Sequence, residues 1–409
     1  MPTDESSDFH ENTTATATDG VEDEADELAH PFDVPDGSGR RVAVVGAGAV
    51  GLTAAFDLAE AGASVTVYER GDVGSGSSGR ASGILYDAYA EDVDARMAAR
   101  ALARFREFDG TGGFSVTPCP HVAVAHESDE KTAEAIAETA ERMRVHGRDV
   151  TTTDGAGLTE RFGETLRTDD VGTAVIADNA MWTDPASYVE AMAPRVRKAG
   201  VDLRTETEVG IRTDPPEIVR GDGETERYDA VLVAAGAHTK HVLADAGVSI
   251  PMKPYRVQAL VSDQPYDGPI CYDATEGAYF RPHPEGLLAG DGTEEVEADP
   301  DQWNRDGDDW FVEDVTDVLD NRAGYDADVS RAWAGLCTAT PDRNPLLGEI
   351  VEDVYVATGW HGHGFMWSPA SGEAVAAMML GGDVALDPYD PRRFDGDEEF
   401  EVVEGMTVE

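Results

Sequence analysis

Arg40-Arg41-Val42-Ala43-Val44-Val45 opens the ordered part of the chain with an apolar run of the kind that forms a fully buried strand. Ala54 to Glu60 follows with helical spacing and stops at Gly62, and Ser64 to Glu69 reads as a second strand. This is one βαβ unit, so a parallel sheet covered on both faces is expected. Tyr228 to Ala235 is again a buried strand, running into Gly236. Val354 to Gly382 reads as strand, glycine-rich turn and helix, with the helix over Ser371–Leu380 ending at Gly381-Gly382. Asp92–Phe108 and Asp129–His146 are helical stretches flanking a strand-like Pro120–Ala125, and the helix Ser187–Gly200 precedes a strand Val201–Val209. Residues 251–330 change character, with alternating strands, aromatics and turn residues.

At 409 residues the chain is too long for one ordinary core, so two lobes are expected. Charge adds a second constraint: 82 acidic against 31 basic residues leave a net −51. Self-repulsion of that size opposes compaction in dilute salt, whereas molar salt shortens the Debye length to about 3 Å and removes most of it. Only Lys131, Lys198, Lys240 and Lys253 are lysines, a balance that resembles the cytosolic proteins of extreme halophiles. An acidic mimic that docks on a basic partner would concentrate its acid in one patch; here the excess runs the whole length, and nucleic-acid binding is unexpected for this sign of charge. Cys119, Cys271 and Cys337 are far apart, which points to neither a disulfide framework nor a metal site. No apolar run approaches the roughly 20 residues that span a bilayer, and no secretory signal pattern is visible, so a cytoplasmic protein is expected. Residues 1–39, without one Lys or Arg, read as a disordered acidic tail, and residues 389–409 as a loose acidic C-terminal tail.

Gly46-Ala47-Gly48-Ala49-Val50-Gly51 follows the first strand, opens a helix and is answered by Glu69, 21 residues after Gly48. In that setting a GxGxxG binds a dinucleotide: one glycine turns the chain, one lets backbone approach a pyrophosphate, one lets helix and strand pack, and the acid accepts ribose hydroxyls. The pattern alone does not separate NAD from FAD. Gly74-Ser75-Gly76-Ser77-Ser78-Gly79-Arg80-Ala81-Ser82-Gly83, directly after the second strand and Arg70, can hug a cofactor that continues past the pyrophosphate. The turn Gly359-Trp360-His361-Gly362-His363-Gly364-Phe365 and the helix after it supply backbone donors suited to the anionic edge of a reduced flavin. FAD is therefore the expected cofactor.

These blocks, with Val233-Ala234-Ala235-Gly236, Pro254-Tyr255-Arg256-Val257, Tyr279-Phe280-Arg281-Pro282 and Trp333-Ala334-Gly335-Leu336, resemble the D-amino-acid-oxidase-like flavoenzymes, the sarcosine oxidase, glycine oxidase and D-amino-acid dehydrogenase group, over about residues 41–385. The resemblance implies an α/β FAD-binding domain of Rossmann-like, GR2-type fold in discontinuous segments (40–90, 149–250 and 331–388) and an α+β substrate domain with an antiparallel sheet (91–148 and 251–330). It extends the cofactor set to Val50, Arg70, Ser77, Ser78, Gly79, Arg80, Ala81, Ser82, Gly83, Val209, Ala235, Gly236, Gly335, Gly362, His363, Gly364, Phe365 and Met366. It implies oxidation of an amino-acid amine by hydride transfer from the α-carbon to flavin N5, giving an imine that water hydrolyses. Gly335 stands where some sarcosine oxidases carry a flavin-tethering cysteine, so non-covalent FAD is expected. Cys337 and Met366 replace an arginine and a lysine of relatives, and Leu288 a lysine credited with oxygen activation, which favours a dehydrogenase over an oxidase with an unknown electron acceptor.

Arg256 matches a substrate arginine in D-arginine-dehydrogenase-like members, and an ion pair to local acids is the alternative. Tyr279 could donate its hydroxyl to substrate or be a core tyrosine; strand alternation puts Arg281, a second carboxylate anchor, on the same face. His361 and His363 are acid/base candidates or supports of the turn. The rivals are flavin-dependent oxidation of a 2-hydroxy acid or glycerol phosphate, an interaction protein with a structural cofactor, and a nicotinamide dehydrogenase.

Overall fold

The computed structural model describes residues 28–403 and 405. Strand Arg41–Val45 sits inside a six-stranded sheet, flanked in parallel by Ala230–Val233 on one side and Ser64–Tyr68 on the other. Val354–Thr358 and Asp202–Arg204 extend the parallel set, and Leu346–Val351 closes one edge antiparallel. Val42 and Val44 pack into one cluster while Ala43 and Val45 pack into another, which is why this strand is apolar without alternation. On the first face lie the helices Ala49–Glu60, Asp92–Phe108, Pro185–Lys198 and Gly364–Met379. The second face carries the helix Thr239–Asp245 and a three-stranded antiparallel sheet, 209–227.

The second lobe is an eight-stranded mixed sheet with strand order 329–339, 253–262, 286–294, 278–283, 270–273, 121–126, 171–177 and 150–153. Val122, Leu260, Phe280 and Leu287 face the helix Asp309–Ala323, with Phe311, Val315 and Leu319 among them. On the opposite face, Ala125, Val150, Val175 and Ala177 pack against Ile136 and Ala140 of the helix Glu130–Val145, while Tyr279 lies against the core of the parallel-sheet lobe. No helix among the described residues is long and apolar enough to cross a membrane.

The structure moves several boundaries. Strands 150–153 and 171–177 pair into the eight-stranded sheet, so they leave the cofactor lobe assigned to 149–250. Helix Asp92–Phe108, assigned to the substrate lobe, packs instead into the core of the parallel-sheet lobe through Met97, Leu102 and Phe105. The expected strand 201–209 is only Asp202–Arg204, followed by a separate hairpin from Val209. The last helix begins at Gly364, seven residues before its expected start; Pro369 lacks the N–H for the Phe365 carbonyl, and the Ser368 hydroxyl donates to that carbonyl instead, at 2.8 Å.

Both tails differ from expectation as well. Residues 1–27 lie outside the described residues, but Phe32 is buried and its N–H reaches Glu373 at 3.3 Å. At the other end Tyr389 and Val402 are buried, Val402 against Tyr255 and Ala339. Apolar residues spaced among acids anchor both segments, which composition alone hides.

Candidate active site

Strands 41–45 and 354–358 run parallel and each feeds a helix, so Ala49–Glu60 and Gly364–Met379 present their N-termini at the same, carboxyl edge of the sheet. The two helices pack against each other at Gly372, where a Cβ would lie 2.6 Å from Thr53 Cβ. Neither helix has an N-cap side chain or an acid in its first turn, so both partially positive ends are left for an external anion.

Gly46 turns with φ +110°, and a Cβ there would meet the Ala234 carbonyl at 2.4 Å; Gly51 touches the Gly46 carbonyl, at 2.1 Å from a built Cβ. A Cβ at Gly48 would meet only the Ser78 hydroxyl, at 3.1 Å, so this glycine leaves its side of the turn open. Glu69 accepts the Ala47 N–H with one oxygen and the Gly71 N–H with the other, each at 2.9 Å, and each oxygen keeps a lone pair for a ribose hydroxyl. Ala235 borders Gly46, Gly236 takes φ +56°, and Val209 starts the strand just beyond Glu69. This donor and acceptor set fits the pyrophosphate and ribose of FAD.

The small-residue loop is stitched between the lobes. Ser78 accepts the Ala49 N–H at 3.0 Å, Ser77 donates to the Leu336 carbonyl at 2.5 Å, and Trp333 Nε1 donates to the Arg80 carbonyl at 3.2 Å. Gly335 lies over Arg80, where an added Cβ would stand 3.6 Å from the Arg80 Cβ, and Arg80 donates to the Ser75 and Gly76 carbonyls. Gly79 packs on the Gly74 carbonyl and Gly83 on the Thr183 carbonyl, while Ala81 and Ser82 stay partly exposed. Tyr279 and Arg281 approach this same loop: Arg281 Nε donates to the Ser82 carbonyl at 2.6 Å, and the Tyr279 hydroxyl interacts with Ser82. The expected shared face is the one observed.

Arg256 is on the other face. It lies in line with Gln258 and Leu260, under the helix Asp309–Ala323, and its guanidinium is engaged by Glu294, Asp308, Gln258 and the Asn304 and Asp306 carbonyls. Five contacts on a buried group leave nothing for a substrate, so the ion-pair alternative is the one present. His361 is likewise a brace. It is buried with φ +45°, and its Nε2 accepts the Thr340 N–H at 2.7 Å, which ties the turn to strand 329–339. Burial pushes its pKa down to about 4. Phe365 is core, against Phe105 and Tyr188, and Met366 Sδ receives the Tyr89 hydroxyl at 3.2 Å. Gly362 is exposed with φ +86°, and Gly364 opens the helix that His363 precedes. Arg70 is paired to Asp301, at 3.2 Å.

The structure adds residues that the sequence reading missed. Tyr86 stacks on Tyr89, 5.3 Å between centroids, and on His121 at 4.7 Å; Tyr89 meets His363 edge-on at 5.7 Å, and His363 stacks on Trp367 at 5.6 Å. Tyr89, His121, Tyr279 and His363 are deeply set yet each keeps part of its surface accessible, and the space they border, between the loop, the second turn and the eight-stranded sheet, is the candidate substrate site, the aromatic hollow. Burial pushes the His121 and His363 imidazoles down to about 4, and raises the Tyr279 phenol. Arg281 stacks on Trp182 at 4.9 Å beside them. The signal available in the sequence was the Tyr86-Asp87-Ala88-Tyr89 pair directly after the small-residue loop.

Residues 41–378 match the family described as FAD dependent oxidoreductase. Among similar proteins are the sarcosine oxidase subunit beta of Rhodobacter capsulatus, 24% identical over 83% of this chain and 85% of its own, and the glycine oxidase of Geobacillus kaustophilus, 26% identical over 85% and 94%. The crystal structure of L-proline dehydrogenase from P. horikoshii superposes with a TM-score of 0.77 at 27% identity, covering 88% of this chain and 98% of that one.

Proposed function

The chain belongs to the FAD dependent oxidoreductase family, and from that premise we propose that it oxidises the amine of a carboxylate-bearing, amino-acid-type substrate seated in the aromatic hollow. The observation that carries this reading is Arg281. Its side chain is 1% exposed, it donates to the carbonyls of Ser82, Pro282 and Thr183, and no carboxylate lies within ion-pair distance of it among the described residues. Desolvation pulls its pKa down to about 10. Asp184 acts on it only from beyond ion-pair distance; a buried cation without a close countercharge costs several kcal/mol, and a bound carboxylate would supply one. The guanidinium has five N–H groups, three already used, and Tyr279 stands beside it on the wall of the hollow with a hydroxyl to donate.

An amine is favoured over a hydroxy acid by the imidazoles. Oxidising a hydroxyl-bearing carbon needs a base for the hydroxyl proton, and side chains held near pKa 4 are poor bases at neutral pH. A neutral amine needs none. Bound FAD supplies the hydride acceptor. The chain's own residues orient the α-carbon: Tyr279 and Arg281 hold the carboxylate, while Tyr86, Tyr89 and His363 exclude water. The relatives named for sarcosine, glycine and proline act on small amines of this kind, which supports the reading. We favour a dehydrogenase, since Leu288, buried beside Arg281 in the sheet, offers no cation to dioxygen. Turnover with a dye acceptor should then exceed turnover in air by at least about tenfold.

Arg281→Met tests the substrate. The KM for an amino-acid substrate should rise about 10–100-fold, equivalent to roughly 1.4–2.7 kcal/mol. The KM for the same amine without its carboxylate should not move. An equal response of both compounds sinks the reading.

A further inference from the structure

Segment 294–308 leaves the eight-stranded sheet, crosses to the parallel-sheet lobe and returns. Arg256 holds both of its ends at once, by Glu294 at the start and by Asn304, Asp306 and Asp308 at the finish. Ala298 N–H to the Pro254 carbonyl, at 2.7 Å, and Ala334 N–H to the Arg305 carbonyl, at 2.9 Å, fasten its two arms to neighbouring strands. The far end touches the other lobe. Asp301 Oδ1 takes Arg70 Nη1 at 3.2 Å and His238 Nε2 at 3.0 Å, and Glu297 takes Lys240 Nζ at 2.7 Å.

The two partners of Asp301 have a particular placement. Arg70 lies just past the carboxyl end of strand 64–68, next to Glu69, and His238 just past that of strand 230–233. Strand 41–45, carrying the Gly46 turn, is hydrogen-bonded between those two strands. A single carboxylate oxygen that binds both therefore stands across the mouth of the turn, over the place where Glu69 receives the adenosine ribose. We propose that segment 294–308 is a clasp on the adenosine half of the FAD site, rooted at Arg256 and latched by Asp301, and that it sets how long the cofactor stays bound.

Such a latch suits its chemistry. Asp301, Arg70 and Lys240 are all partly exposed, so each contact is individually weak and can open. Acting together across a mouth, they slow escape without forming a permanent seal.

Release of FAD from the holoenzyme, followed by the recovery of free-flavin fluorescence after dilution, tests the clasp. Asp301→Ala and Asp301→Asn should each release FAD about five- to tenfold faster than the wild type. Adding His238→Ala to Asp301→Ala should change little more, because the two share one latch. Glu141→Gln, which breaks an exposed ion pair with Arg144 away from the cleft, is the control and should leave release unchanged. Wild-type release rates in both Asp301 variants, or an equal acceleration by Glu141→Gln, would overturn the clasp. The inference uses the FAD site and not the amine reading, so a clasp that fails leaves the substrate result untouched, and the reverse also holds.

Discussion

The two walls of the cofactor cleft are built by different means. Along the parallel-sheet lobe the groups offered to FAD belong mostly to the backbone: two helix ends without an N-cap bond or a first-turn acid, and the open side of Gly48, on a turn that Glu69 and Ser78 steady. Along the eight-stranded sheet every group is a side chain, and its use depends on the strand face it occupies. Tyr279 and Arg281 face the cleft, while Arg256, also a buried arginine, faces a helix and five oxygen partners. A backbone site is specified by local conformation. A side-chain site is specified by register and by whatever else reaches it.

The sharpest way to break the backbone wall is to add one atom where backbone cannot yield. In Gly51→Val the new Cβ lies 2.1 Å from the Gly46 carbonyl, and the purified protein should show no flavin absorption. Gly48→Ala is the milder contrast, because its Cβ meets only the movable Ser78 hydroxyl at 3.1 Å. It should fold, and bind FAD about tenfold more weakly, roughly 1.4 kcal/mol, by crowding the pyrophosphate. Equal losses in the two variants would mean that these glycines serve the fold alone.

On the other wall, Arg256→Ala separates the two arginines. Removing Arg256 leaves Glu294 and Asp308, each about a third exposed, facing each other without a cation, a loss of about 1.5–3 kcal/mol. The midpoint of denaturant unfolding should fall accordingly. With FAD in excess, the KM for the amino-acid substrate should stay within about twofold, in contrast to the 10–100-fold rise expected for Arg281→Met. A raised KM in Arg256→Ala would return that residue to the substrate.

That contrast also explains what was legible in the sequence. The Gly46 turn, the small-residue loop, the second turn and both helices behind them follow from glycine spacing and apolar runs, and the structure places them at one cleft. Register was legible only within a strand: Tyr279 and Arg281 had to share a face, but nothing local said that Arg256 lay on the opposite one, since that follows from its pairing with strands 286–294 and 329–339. The helix Asp309–Ala323 is present in the sequence as a period that composition hides. Phe311, Val315, Val318 and Leu319 recur at helical spacing, and Gly324 ends it in the left-handed conformation, but its acidic outer face masked the period. The aromatic hollow was not readable, because Tyr86, Tyr89, His121 and His363 come from three separate segments that only the tertiary fold joins.

A smaller effect is expected from Tyr279→Phe. One hydrogen bond to a charged group is worth about 1.5–3 kcal/mol, so kcat/KM should fall about 10–100-fold while FAD binding and thermal stability stay unchanged. An undiminished kcat/KM would make Tyr279 wall rather than contact, and leave the carboxylate to Arg281 alone.

The smallest change tests the brace of the second turn. Asparagine tolerates the left-handed backbone of His361 and can accept the Thr340 N–H, so His361→Asn should cost only about 1 kcal/mol at pH 8 and keep its flavin. The informative quantity is how that cost varies with pH. The folded imidazole titrates near 4 and the unfolded one near 6.5, so the unfolded chain takes up the proton first as the pH falls. The stability His361 contributes is therefore full above pH 6.5 and is lost as the pH drops through 4, by up to about 3 kcal/mol. Asp57 and Asp94, raised to about 6 by burial, act in the opposite direction, but they do so in both proteins and cancel in the difference. The gap in unfolding free energy between wild type and His361→Asn should thus shrink and change sign between pH 7 and pH 4.5. A gap that stays constant would show that His361 titrates freely when folded, and an imidazole of that kind would be available for proton transfer after all.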